Sequence, residues 1–416
     1  MKWIMVASLL LIPQESSPVP ALLERIDGRD PKVCFRAISE LADLGAAHRR
    51  EIEKGADHLP AFYRDALLAE MKWPPLAQKR VTLKGKRNFR QQLKEMERQT
   101  GEKIDLGFLD RSPSFEFQHD GEFSADCSEV TAMEAMAEVC GAFGAFIERD
   151  ELSDQIKVTD FGGKLWVAGQ RSLIVFHEKA WIRKWIDLSG RAEWQSGLRF
   201  TAFMRAGVRV QGWKDVRVVE AVSDKGVDLR LNSEAERPSF LDFPTGQEEP
   251  SNWDQEGFIV SLRLPTGVEM ASRLKISAVA QVFTRYWSVK VNTKGTAGNG
   301  KASNDGLEVE VRPCDPRDEQ GRTYTLRLRA RGLSGKELAG RSRVIRSIYC
   351  GKEGWADLKL RSIEGDTLEF DARWENIGGV LKGELDQKTL EEVTIYVADG
   401  LEEKPVFVEF RDIPLR

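Results

Sequence analysis

The stretch "VTLKGKRNFRQQLKEMERQTGEKIDL", residues 81–106, reads as a short strand, a turn, a helix and a second strand. Asn88 stands where a helix N-cap belongs and Gln91 follows three residues on, the pairing of a capping box. Phe89, Leu93 and Met96 fall on one helical face, and Gly101 supplies the stop. The same scheme returns at Thr131, with Glu134 at N3, Met136 and Val139 inside, and Gly144 at the end. Each helix has a short strand before it ("VTLKG", "FSADC") and another after it ("KIDLGFL", "AFIER"). The pattern predicts an α+β module of two strand–helix–strand copies, with Leu93, Met96, Met136 and Val139 in one shared core.

The first copy is conspicuously basic. Arg90, Lys94 and Arg98 recur every four residues, on the side of the helix away from the apolar stripe, with Glu95, Glu97 and Glu102 between them. That spacing predicts a solvated face, with a contact surface for a partner as the alternative. The whole chain of 416 residues carries a net charge of −4, and no nucleic-acid motif accompanies the patch, so no nucleic-acid partner is expected.

Together, "VTLKGKRNFRQQLKEMERQTGEKIDL" and "FSADCSEVTAMEAMAEVCGAFGAF" resemble the STN module, the short domain at the N-terminus of secretins and TonB-dependent receptors. Thr100-Gly101 follows the family pattern, whereas the second half has Phe143-Gly144 in that place. The resemblance spans about residues 80–168 and implies a periplasmic interaction domain. It does not carry over a secretin or receptor identity, because no strand series of outer-membrane-barrel type follows.

The chain opens "MKWIMVASLLLIPQESSPVP", with Lys2 and then an apolar run from Trp3 to Ile12. This is the order of a secretory signal and too short to span a bilayer, so residues 1–17 are read as a signal peptide and the compartment as periplasmic or secreted. Residues 18–75 read as helical. "DPKVCFRAISELADLG" has Asp30 as N-cap, Pro31 at N1, apolar Val33, Ala37, Ile38, Leu41 and Leu44, and Gly45 as stop, in the places a HEAT-repeat helix uses them. A second helix is expected through "AFYRDALLAEM".

Beyond the module the helical period gives way to alternation. "LRFTAFMRAGVRVQGWKDVRVVEAV" and "FIVSLRLPTGVEMASRLKISAVAQVFTRYWSVKV" read as half-buried antiparallel strands, and "NTKGTAGNGKASNDG" as a linker or long loop. Residues 273–291 and 392–410 match position by position, Leu274 with Val393 and Ile276 with Ile395. The expectation is two tandem immunoglobulin-like β-sandwiches, residues 169–298 and 299–416. The second is expected to close on its own last strand, with Val406, Val408 and Phe410 inward and Phe407 and Glu409 outward. The fold class is thus α+β and multidomain.

Little in the sequence carries chemistry. Five cysteines include no C-x-x-C pair, and in an exported chain Cys314 with Cys350, both in the last β-rich region, is the first disulfide to test. Four histidines lie in no ligand-spaced pair, and there is no nucleophile elbow, P-loop or dinucleotide fingerprint. "HDGEFSADC" and "DPRDEQGR" gather acidic residues but read as connections, not metal loops. Trp166, Trp181, Trp185, Trp194 and Trp213 cluster between residues 166 and 213. They read first as core and second as a recognition surface, with Trp181 and Trp185 as its candidates beside Arg90, Lys94 and Arg98. No enzyme, cofactor, metal or transmembrane segment is expected. The function expected is protein–protein interaction or scaffolding with envelope proteins. Carbohydrate recognition or glycan-directed action is the first alternative, and STN-mediated signalling or secretion the second.

Overall fold

The computed structural model describes residues 17–72, 79–105, 122–125, 127–149, 156–160, 165–169, 171, 173–186, 192–204, 208–231, 257–294, 296, 299–304, 306–313, 323–339, 342–349, 352–354, 357–373 and 390–415. The protein is mostly β-strand with a few helices. It divides into two units, Met1–Gln78 and Lys79–Arg416, each taken by itself. The expected signal segment lies outside the described residues, as do Cys314, Cys350 and "DPRDEQGR".

The first unit holds helices α1 (Val19–Glu24), α2 (Pro31–Ala56) and α3 (Ala61–Lys72). Asp30 caps α2 as expected, its carboxylate accepting the Lys32 N–H at 2.8 Å. Gly45, with φ 57° and ψ −141°, breaks the helical run where the stop was read, and helix then resumes to Ala56. Ala37, Ile38 and Leu41 are buried, but Val33 is 41% exposed, contrary to expectation. Cys34 and Phe35 take its place inside, where Phe35 packs edge-on against Phe62 and Tyr63.

The second unit begins with β1 (Arg80–Leu83), β2 (Lys86–Arg87), α4 (Phe89–Thr100), β3 (Ile104–Asp105), β4 (Phe123–Ser124), β5 (Cys127–Thr131), α5 (Ala132–Phe143), β6 (Ala145–Arg149) and β7 (Ile156–Asp160). Both capping boxes form. Asn88 accepts the Gln91 N–H at 2.9 Å and Gln91 accepts the Asn88 N–H at 3.2 Å. Thr131 and Glu134 repeat the exchange at 3.3 and 2.9 Å. Both helices end in a left-handed glycine, Gly101 at φ 72° and Gly144 at φ 65°, a conformation that costs a residue with a Cβ. The strands entering the helices pair with each other, β1 with β5 and β2 with β4, while β3 and β6 flank β7. The two halves are therefore interleaved, and Leu93, Met96, Met136 and Val139 share one buried core.

Fourteen more strands follow: β8 (Trp166–Gly169), β9 (Leu173–Ile186), β10 (Ala192–Met204), β11 (Arg209–Ser223), β12 (Gly257–Arg263), β13 (Met270–Asn292), β14 (Gly300–Asn304), β15 (Leu307–Pro313), β16 (Thr323–Ala330), β17 (Ser342–Tyr349), β18 (Lys352–Gly354), β19 (Asp357–Glu364), β20 (Thr367–Arg373) and β21 (Leu390–Pro414). Helix α6 (Gly335–Ala339) lies between β16 and β17. The strands form three sheets, ordered β12-β10-β9-β8, β11-β13-β21-β17-β18 and β14-β15-β16-β20-β19.

The ladder between β13 and β21 organises this region. It runs antiparallel from Met270↔Pro414 to Asn292↔Glu392 with no register shift. The two segments that match as repeats in sequence are partners in space, Leu274 opposite Phe410 and Val291 opposite Val393. Period-two alternation reads the same in both directions, so a repeat and an antiparallel pair have one sequence signature. A strand from before the expected boundary at residue 298 is thus paired along its length with the last strand of the chain. Val406, Val408 and Phe410 are buried as expected, but opposite Ala278, Ile276 and Leu274 and not within residues 299–416. Glu409 is also buried, not outward, because Arg411 at 2.7 Å and Arg273 at 3.6 Å reach it from its own strand and the next.

Two cores use this ladder. Leu274, Ile276, Ala278 and Val282 face inward in its first half, with even numbers. In its second half Val289, Val291, Val393, Ile395 and Val397 do so, with odd numbers, joining Val309, Leu326, Leu328 and Phe370. The change falls at Gly400, whose φ is 69° and whose carbonyl accepts the Thr284 hydroxyl at 3.0 Å.

Candidate interaction surface

Strands β9 and β10 form a long hairpin whose two halves have different surroundings. In the inner half Leu173, Ile174, Val175 and Phe176 are all fully buried. One face of this sheet meets the α+β module, where Phe146 lies 4.9 Å from Phe176. The other meets β21, where Phe410 lies 4.9 Å from Phe200. Burial on both faces explains the unbroken apolar run.

An aromatic row crosses this sheet at one level. Trp166, His177, Phe200 and Phe258 are successive cross-strand partners on β8, β9, β10 and β12, with ring centroids 5.9, 5.4 and 5.3 Å apart. Trp213 packs on Phe258 at 4.8 Å, and the Trp166 indole N–H donates to the Asp412 carbonyl at 2.6 Å. Trp166 and Trp213 are thus parts of the packing between sheets. Burial pushes the His177 imidazole down to about 4, against a hydrogen bond with the Lys179 backbone and the neighbouring Glu178 carboxylate, which act the other way.

Unfolding frees an imidazole of ordinary affinity that takes up a proton below pH about 6.5, while the folded one stays neutral to about 4. This stability is full above pH 6.5 and falls away towards pH 4, by about 3 kcal/mol in all. Urea unfolding of wild type and His177→Phe at pH 7.5 and 4.5 checks it. The wild type should lose more stability than the variant between the two values, and parallel losses would refute the assignment.

The outer half of the hairpin, residues 178–186 and 192–194, runs past β8, whose pairing ends at Trp166↔His177. Trp181 is half-buried and lies across Gly197, where an added Cβ would sit 2.3 Å from the indole. Trp194 is 47% exposed and Ile182 40% exposed. Lys184, the cross-strand partner of Trp194, holds its ammonium 5.9 Å from the indole centroid, in cation–π range. Glu178 is occupied by Arg199 at 2.8 Å and by the Thr201 hydroxyl at 2.8 Å. The Trp185 side chain lies outside the description, although its backbone continues β9.

The basic residues of α4 sit elsewhere. Lys94 and Arg98 are exposed and Arg90 is half-buried. Arg98 bonds Glu95 at 2.5 Å and, with Gln99 and Arg87, draws its carboxyl down to about 2. Such internal pairing is what a solvated helix face looks like. The structure therefore joins Ile182, Lys184 and Trp194 on one face of the hairpin, sets Trp181 on the other face, and leaves Arg90, Lys94 and Arg98 on a separate element. Sequence reasoning missed Lys184 and Ile182, because only the hairpin register sets Lys184 opposite Trp194.

Among the described residues, no group of His, Cys, Asp and Glu could hold a metal ion. His119, Asp120 and Asp126 of "HDGEFSADC" lie outside them. Cys34, Cys127 and Cys140 are buried. No described helix is long and apolar enough to cross a membrane. No protein-family model matches the chain, and comparison with curated proteins and with solved structures finds no match.

Proposed function

We propose that this is a non-enzymatic, exported envelope protein that works by binding another protein, with the outer half of the β9–β10 hairpin as its contact surface. The observation that carries the reading is the exposure of Trp194 and Ile182, with Lys184 over the indole, where β9 runs past its neighbour β8. Aromatic side chains desolvate a large area at low entropic cost and anchor many protein interfaces. The inner half of the same hairpin spends its aromatic residues on packing, which makes the outward pair the exception. The STN-like resemblance of residues 80–168 and the signal-like N-terminus support an envelope setting and an interaction role.

Carbohydrate is the second reading, since the open Trp194 indole also suits stacking on a sugar ring. A photo-reactive phenylalanine analogue at position 194 separates the two in an envelope fraction. A discrete protein adduct from position 194 and none from position 94 is the expected outcome. Adducts only to glycan, or equal adducts from both positions, would contradict it.

A further inference from the structure

Strand β9 is paired with β10 through residues 173–186 but with β8 only through residues 174–177. From Glu178 to Ile186 its other edge has no strand partner among the described residues, a length of roughly 30 Å. Open edges invite strand addition, and proteins usually blunt them. A second open edge in this molecule is blunted. Beyond Val397, where β17 stops, β21 has β13 alone as a strand partner among the described residues. That edge carries Pro405, which has no N–H to offer, and exposed Glu402 and Glu403.

The β9 edge has no proline, and its charges have one sign. Exposed Lys179 and Lys184 lie along it, while Glu178 is neutralised by Arg199. A second copy of this chain would set cations against cations, and like charges directly opposite in a sheet destabilise pairing. The same charges favour a strand of opposite sign. On the exposed face, Ile182 and Lys184 stand two residues apart, so a strand laid alongside meets one apolar and one cationic position.

Resting on the contact surface proposed above, we infer that the partner binds by strand addition: an extended, acidic segment extends the sheet along Glu178–Ile186. Backbone hydrogen bonds supply the affinity, and acidic side chains set against Lys179 and Lys184 the selectivity.

Hydrogen exchange on the full chain tests this, with a blocked peptide of four Glu-Val repeats as probe and four Lys-Val repeats as control. The Glu-Val peptide should slow exchange in residues 178–186 about ten-fold, the Lys-Val peptide should not, and added salt should weaken the effect. A Lys179→Glu, Lys184→Glu variant alters two exposed side chains, so its melting should be unchanged while its affinity for the Glu-Val peptide falls about ten-fold. No protection by the Glu-Val peptide, equal protection by both peptides, or protection of these amides by self-association without peptide would each overturn strand addition. Protein adducts from position 194 combined with unprotected edge amides would reject this inference while leaving the contact surface standing.

Discussion

Deleting residues 405–416 should unfold the part of the protein built on β8–β13 and leave the core around β14–β16 and β20 folded. The removed segment contributes Val406, Val408, Phe410, Ile413 and Leu415, all buried. At about 1.5–3 kcal/mol for each buried apolar side chain, roughly 10 kcal/mol is lost. That is comparable to the whole stability of a typical domain. The segment also closes the sheets at their far end. Ser196 donates to the Leu415 carbonyl at 2.8 Å, Trp166 to that of Asp412, and the Leu415 N–H to Glu269 at 2.9 Å. Val393, Ile395 and Val397 remain and keep the other core supplied. Limited proteolysis with mass spectrometry reads the result: new cuts should appear within residues 165–283 and not within 307–373. The reverse pattern would mean that the last strand belongs to the second core, as the sequence alone suggests.

Leu93→Ala should destabilise the α+β module by about 2–5 kcal/mol, the range for emptying a buried leucine site. Leu93 is fully buried on α4 among Phe89, Met96, Met136 and Val139. Such a core closes only partly around a missing side chain, so the cavity adds to the lost transfer energy. Its neighbour Lys94 is exposed, and Lys94→Ala should stay within about 0.5 kcal/mol of wild type. The pair makes the comparison internal, because both changes to alanine favour the helix slightly. Urea unfolding followed by circular dichroism gives both numbers. Equal losses at the two positions would place the helix with its other face inward.

The module was readable because its signals are local. A capping box needs a side chain and an amide three residues apart, and the left-handed glycine follows the last apolar position, so Asn88, Gln91, Gly101 and their counterparts announce themselves. Helix α2 shows the limit of that logic. Gly45 breaks the helical run as read, yet Val33 turns outward, since Phe35 packs with Phe62 and Tyr63 from another helix. The pairing of β13 with β21 was not readable, because alternation says which residues share a face and nothing about the partner strand. Glu409 is the sharpest case. A carboxylate between Val408 and Phe410 reads as solvent-facing, and its burial is offset by Arg411 on its own strand together with Arg273 arriving from β13. The tryptophans divide for the same reason. Register sends Trp166 and Trp213 into the packing and leaves Trp194 open, and no composition or spacing rule separates them.

The most direct measurement of the central claim is the affinity of the full chain for the protein captured from position 194, compared with that of an Ile182→Ser, Trp194→Ser variant. Both side chains are exposed, so the variant should melt as the wild type does. Anchoring aromatic residues contribute about 2 kcal/mol or more to an interface, so binding should weaken by roughly thirty-fold. Undiminished binding by a variant that folds normally would show that the outer half of the β9–β10 hairpin is not where this protein meets its partner.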